Sequence, residues 1–177
     1  MKFKRKTSGI IIIGNEVLTG KTLDTNSNFL CKNLYEIGVD CKEISVIQDV
    51  EKIIIEKVNL FRKKFDFVFT TGGIGPTHDD ITSKSIAKAF KDKLVLNKLA
   101  KSRLEKHYSD ELLTKARLKM AYLPSKAALI DNPVSIAPGF SIKNVHVFPG
   151  VPKIFEIMLK EFIKGIGKQK QFFKKNL

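Results

Sequence analysis

A chain of 177 residues with 43% hydrophobic content is long enough for one domain with a full core, and that composition argues for a globular fold rather than disorder. No apolar run approaches the roughly 20 residues of a membrane helix, and Lys2-Phe3-Lys4-Arg5-Lys6 leads into a strand pattern without a cleavage site, so a cytoplasmic protein without membrane insertion is expected. Much of the net charge of +14 sits at the ends, on Lys2, Lys4, Arg5 and Lys6 and on Lys164, Lys168, Lys170, Lys174 and Lys175, which reads first as a lysine-biased solvated tail and, as the alternative, as salt-sensitive, nonspecific attraction for polyanions.

Ser8 to Ile13 carries Ile10-Ile11-Ile12-Ile13, a β-branched run suited to a strand buried on both faces, and it ends at the polar turn Gly14-Asn15-Glu16. Phe29, Leu30, Leu34 and Ile37 then recur at helical spacing, with Asp24 or Thr25 as cap and Gly38 as stop. Glu43 to Ile47 predicts a second strand, Asp49 an N-cap, and Ile53, Ile54, Val58 and Phe61 one face of a helix. Asp66 to Phe69 is a third strand, followed by a glycine-rich loop and a helix using Ile81, Ile86, Ala87, Ala89 and Phe90. Such β-α alternation predicts an α/β fold with a mostly parallel central sheet covered by helices.

After Leu94-Val95-Leu96 the pattern becomes charged, and Asn97 to Tyr108 and Asp110 to Tyr122 predict two helices lying outside the sheet as a small extension. Ala127 to Ile130, Phe140 to Ile142 and Val145 to Phe148 read as strands, the last two joined at Lys143-Asn144 in a hairpin. Pro149-Gly150-Val151-Pro152 precedes a closing helix with Ile154, Ile157, Met158, Phe162 and Ile163. One domain is expected over 1–177, its core about 8–163 and a basic tail over 164–177. Cys31 and Cys41 lack paired C-x-x-C spacing and are expected as buried thiols.

Three polar clusters follow predicted strands: Gly14-Asn15-Glu16 with Asp24-Thr25-Asn26-Ser27, then Thr70-Thr71-Gly72-Gly73-Ile74-Gly75-Pro76-Thr77-His78-Asp79-Asp80, then Pro149-Gly150-Val151-Pro152. Strand carboxyl ends share one edge of a parallel sheet, so these loops are expected to build one pocket. A glycine-rich turn between strand and helix aims backbone N–H groups at an anion, and the acid of Asp79 and Asp80 implies a guest that brings donors or a divalent cation. Asp80 reads equally as helix N-cap or as ligand contact, and Asp24 shares that ambiguity. His78 offers a metal ligand or acid/base, though adjacent residues rarely converge on one ion; His107 and His146 read as surface or packing residues. Asn132 to Phe140, with Pro133, Pro138 and Gly139, forms either a surface turn or a pocket wall.

In this order, together with Val17-Leu18-Thr19-Gly20, Asn132-Pro133 and Ala137-Pro138-Gly139-Phe140, the motifs resemble the molybdopterin-binding (MoaB/Mog-like) domain family, most closely the amino-terminal domain of competence/damage-inducible protein A. The resemblance implies a three-layer α/β/α fold and a pocket for a pterin-phosphate or nucleotide-like ligand. Carried over by motif, Gly72, Gly73, Gly75 and Thr77 hold phosphate or pterin, Asp80 and Asp24 act as catalytic or metal-contacting acids, and Gly14, Glu16, Asn26, Thr71, Pro76, Asp79, Gly150 and Pro152 complete the binding set.

The same resemblance implies molybdopterin as ligand and a homo-oligomer, dimer or trimer. It also offers a second activity, cleavage of ADP-ribose- or FAD-type pyrophosphates with Mg, Mn or Co. Asn15 stands where the family commonly has Asp, removing one charge that could hold a cation, and Ser135 replaces a frequent Gly. The chain stops at Leu177, so the deamidase domain of longer relatives is expected to be absent.

Overall fold

A computed structural model describes residues 5–109 and 111–175, with side chains described as far as residue 166. Lys2, Lys4 and the side chains of the basic tail beyond that point lie outside the description. In chain order β1 (Lys6–Ile13), α1 (Asn15–Leu18), α2 (Asn26–Glu36), β2 (Val39–Ile47), α3 (Glu51–Lys64), β3 (Phe67–Thr71) and α4 (Thr82–Ala89) come first. An excursion follows, made of β4 (Leu94–Leu96), α5 (Lys98–His107), α6 (Lys115–Leu118) and β5 (Tyr122–Pro124). The chain then returns through β6 (Ala128–Ile130), β7 (Gly139–Ile142), β8 (Val145–Phe148) and α7 (Pro152–Lys175).

The central sheet runs β2-β1-β3-β8-β7-β6. Its first four strands are mutually parallel and β7 is antiparallel to both neighbours. Strand periodicity explains the isoleucine run, because successive residues face opposite sides. Ile11 and Ile13 pack with Ile54, Val58 and Phe61 of α3 and Ile86 of α4. Ile10 and Ile12 pack with Leu30 and Leu34 of α2 and Phe155, Met158 and Leu159 of α7. Full burial of each such side chain contributes about 1.5–3 kcal/mol, and together they hold the expected three layers.

The excursion departs from the sequence reading. Among the described residues no continuous helix spans 111–122: Glu111 and Leu112 form a turn, Thr114 caps a new four-residue helix by accepting from Arg117 N, and a single 3-10 turn (Lys119–Ala121) follows. Tyr122 then enters β5, which pairs antiparallel with β4. The Thr114 hydroxyl restarts the helix where an uninterrupted periodicity was expected, and pairing with β4 claims the segment beyond it. α1 is likewise an element the sequence reading left as a turn.

Other expectations can be placed directly. Among the described residues no helix is long and apolar enough to cross a membrane. Arg5 pairs with Asp40, Lys6 with Asp66 and Lys164 with Glu161, so part of the terminal charge is already answered. Cys31 and Cys41 are free and half-buried rather than fully buried. Burial, reinforced by the neighbouring Cys41 thiol, pushes the Cys31 thiol up to about 12.

Candidate functional site

The carboxyl ends of β1, β3 and β8 meet main chain to main chain. Gly72 leaves β3 with φ of 101°, and its N–H donates to the Phe148 carbonyl at 3.1 Å. A Cβ on Gly72 would stand 2.0 Å from the Ile13 carbonyl oxygen, and one on Gly150 would stand 3.3 Å from the Gly72 Cα. Only glycine permits both the left-handed backbone and this approach. Gly73 continues the turn with φ of 68°, where Thr82 locks the next helix onto the loop: its Oγ1 donates to Gly72 O at 3.0 Å and its N–H to Gly73 O at 2.9 Å.

Above this junction lies a hollow of about 30 Å³, walled by Glu16, Asp24, Asn26, Thr71, Gly72, Gly150 and Pro152 of the expected set, with Thr22 added. Gly14 lies beside it, its N–H donating to Ile47 O at 3.1 Å, with the Glu16 carboxylate folded back over its Cα. Gly73, Gly75, Pro76, Thr77, Asp79 and Asp80 do not wall this hollow; they form the adjoining loop.

Asn26 is 5% exposed at the start of α2. Its Nδ2 donates to Gly150 O at 2.9 Å and to Thr71 Oγ1 at 3.4 Å, while its Oδ1 is buried with no hydrogen-bond partner among the described residues. Asp24 Oδ1 accepts from Ser27 N at 3.0 Å, so the capping role is realised there.

The acidic loop is braced from within. Asp80 Oδ2 accepts from Thr77 N at 2.8 Å and Thr77 Oγ1 at 2.6 Å, so Asp80 closes the loop rather than capping α4, whose start at Ile81 has no side-chain cap. Lys119 reaches in from the excursion to donate to the Thr77 carbonyl. A hydrogen bond from Thr77, one from its own backbone, and the His78 and Lys119 charges hold the Asp79 carboxyl below the ordinary range.

Asp49 is the acid that sequence reasoning misassigned. Instead of capping α3, it accepts from Asn15 N at 2.8 Å. Burial raises its carboxyl, aided by the charges of Glu16, Asp79 and Asp80, so four carboxylates share this side of the rim. Its position just past the end of β2 was the available signal, the same one that marked the other loops. Thr22 and Lys119 arrive from a loop and a lobe and carry no comparable signal.

Among the described residues no three His, Cys, Asp or Glu side chains stand close enough to hold a metal by themselves. His78 is exposed. The Asn132 segment forms its own turn, with Asn132 Oδ1 accepting from Val134 N at 3.0 Å and Ser135 N at 3.1 Å, and it walls a different hollow with Arg103, Lys106 and His107.

Parallel strand ends closing a main-chain junction beneath polar loops define an α/β protein with a crevice at the strand carboxyl edge. Residues 9–168 match the family described as "Probable molybdopterin binding domain", and the chain belongs to that family. It is 41% identical to a protein of Archaeoglobus fulgidus, with 88% of this chain and 69% of that protein covered. It is 36% identical to the "Probable FAD synthase" of Caenorhabditis briggsae over 86% of this chain, but spans only 33% of that protein. The crystal structure of the protein CinA from Thermoplasma acidophilum superimposes with a TM-score of 0.86 at 36% identity, covering 92% of this chain and 98% of that one.

Proposed function

We propose that this chain binds a molybdopterin-like or nucleotide-like small molecule across the rim between residues 14–27 and the 72–80 loop. The observation that carries the reading is Asn26, a residue that walls the hollow and whose buried amide oxygen has no partner among the described residues, so it calls for an N–H or O–H donor. A pterin ring or a ribose supplies one. The hollow admits a single polar group, so the rest of the guest lies over the 73–77 loop, where Gly73 and Gly75, not Pro76 or the Asp80-bound Thr77, have backbone N–H groups to offer a phosphate. Membership in the molybdopterin-binding family supports the pterin side. A homo-oligomer, dimer or trimer, and a cytoplasmic location belong to the same reading; sedimentation velocity tests the first.

Calorimetry against molybdopterin, ADP-ribose, FAD and ATP, each with and without Mg, Mn or Co, tests it. One saturable site is expected for at least one ligand, weakened about tenfold or more by Asn26→Ala, the loss of about one charge-free hydrogen bond. No binding by any of the four, or unchanged affinity in a folded Asn26→Ala protein, would remove the reading.

The crowding of Glu16, Asp49, Asp79 and Asp80 favours a second reading, metal-dependent cleavage of an ADP-ribose- or FAD-type pyrophosphate. A Mg-type ion needs only one or two carboxylates when substrate phosphates supply the remaining oxygens, so Asp80 with Asp24 or Asp49 suffices without a preformed protein cage. The bound ion would offset phosphate charge and activate water. Release of a nucleoside monophosphate from ADP-ribose or FAD is expected with Mg, Mn or Co; no turnover with any of these pairs sinks it.

A further inference from the structure

The α7-facing side of the sheet contains a second hollow, of about 510 Å³, bordered by Phe67, Ile130, His146, Met158, Phe162 and Gly165. Its origin is legible in the strand register. Phe69 and Phe148 fill the middle of this face, but the residues paired outward from His146 are Ser141 on β7 and then Ala128 on β6. These small side chains leave α7 unsupported toward the sheet edge. Gly165 opens the helix side, since a Cβ there would meet nothing within 4 Å among the described residues. The hollow spans about 9–20 Å along α7 from Pro152 at the rim, by the rise of a helix.

His146 is 8% exposed and lies between rings, with centroids 6.0 Å from Phe67, 5.2 Å from Phe69 and 4.8 Å from Phe162. Its Nδ1 shares a hydrogen bond with Ser141 Oγ at 2.8 Å. Its Nε2 is buried with no partner among the described residues. Burial also brings the imidazole pKa down to about 4, so the ring is neutral at neutral pH.

We propose that this hollow is a second binding site, taking a small uncharged aromatic molecule whose one hydroxyl-type group meets Nε2 of His146. The walls combine aromatic, thioether and aliphatic side chains, with Asp131 and Glu161 as the carboxylates among them, and the size is within the roughly 300–1,000 Å³ of small-molecule sites. Charge in the guest is disfavoured because the two acids at the mouth are already paired, Asp131 with Arg103 at 2.7 Å and Glu161 with Lys164 at 2.6 Å. A hydroxyl both donates and accepts, so it satisfies Nε2 whichever tautomer Ser141 imposes. The inference does not depend on the rim reading.

The test titrates phenol and toluene into the full chain and follows the His146 imidazole nitrogens by NMR. Phenol is expected to bind saturably and shift the Nε2 signal, with toluene, which lacks the hydroxyl, about tenfold weaker. In His146→Phe the two probes should bind alike. In Gly165→Trp, whose side chain fills the mouth, both should be lost; Gly165→Leu serves if the larger variant fails to fold. The proposal is overturned if phenol does not saturate, if phenol and toluene bind equally to the parent chain, or if binding survives the Gly165 substitution. It is also overturned if Nε2 is occupied by a fixed water or by a second copy of the chain and no probe enters.

Discussion

Asn26 and Gly150, far apart in the chain, are joined by a hydrogen bond of 2.9 Å from the Asn26 amide to the Gly150 carbonyl. That bond ties the start of α2 to the segment after β8, across the edge where β1 and β3 also end. Asn26→Ala should therefore cost about 1–2 kcal/mol by urea unfolding, the usual effect of removing one partner of a buried hydrogen bond. A loss below measurement error would mean the two segments are held together by something else.

Gly72→Ala should be far more damaging than its chemistry suggests. The new methyl would sit 2.0 Å from the Ile13 carbonyl in a backbone region L residues avoid, and the expected cost is about 3 kcal/mol or more. Gly20→Ala is the control: φ is also positive at 73°, but nothing lies within 4 Å, so only about 1 kcal/mol is expected. Equal melting temperatures for the two variants would contradict the close approach of the strand ends.

The buried imidazole of His146 makes stability depend on pH in a defined window. Its pKa falls from 6.5 in the unfolded chain to about 4 in the fold, so the unfolded state binds the extra proton first as pH drops. Its contribution is fully present above pH 6.5, declines between 6.5 and about 4, and amounts to about 3 kcal/mol at most. Asp66, lowered to about 2 first by Lys6 and then by Thr7, acts in a separate window, keeping its contribution above pH 3.8 and losing it toward pH 2. Unfolding curves of His146→Phe should lack the upper window and keep the lower one.

Asp49 has the opposite sign. Its carboxyl is raised, so the fold favours the protonated form and gains stability as pH falls through the raised value. Asp49→Asn retains an oxygen for the Asn15 N–H while removing the like charge near Glu16, Asp79 and Asp80. A higher melting temperature than the parent at pH 7, with the difference vanishing near pH 3, is expected. A lower one at pH 7 would show that the carboxylate is held by a favourable partner.

Asp80→Asn should loosen the loop it closes, because the carboxylate oxygen accepts from both the backbone and the hydroxyl of Thr77. Faster amide exchange at Thr77 is expected with global stability changed by less than about 1 kcal/mol, the scale of one exposed hydrogen bond. Unchanged exchange at Thr77 would show that Lys119 alone holds the turn.

Much of this architecture could be read from local pattern. Ile10 to Ile13 announces a strand buried on both faces, and the helix face of Ile54, Val58 and Phe61 appears where its spacing puts it. The rim was legible because polar clusters follow strand ends, and Asp24, Asn26, Gly72 and Gly150 do meet there. What escaped depends on distant partners. β4 and β5 form only by pairing across the excursion, and Lys119 reaches Thr77 through tertiary packing. Asp49 reads as an N-cap from local pattern, and the Asn15 amide, brought near by the fold, claims its carboxylate instead.

The base of the rim is bare peptide: at Gly72 and Gly150 there is no side chain to exchange for another, a Cβ at Gly72 would collide with the Ile13 carbonyl, and one at Gly150 would press on the Gly72 Cα. Chemical selectivity cannot be rewritten at that depth. On the binding proposed here, the accepted guest changes through the flanking polypeptide, so diversity among relatives is to be sought in segments 14–27 and 73–80, over a foundation that leaves little room for change.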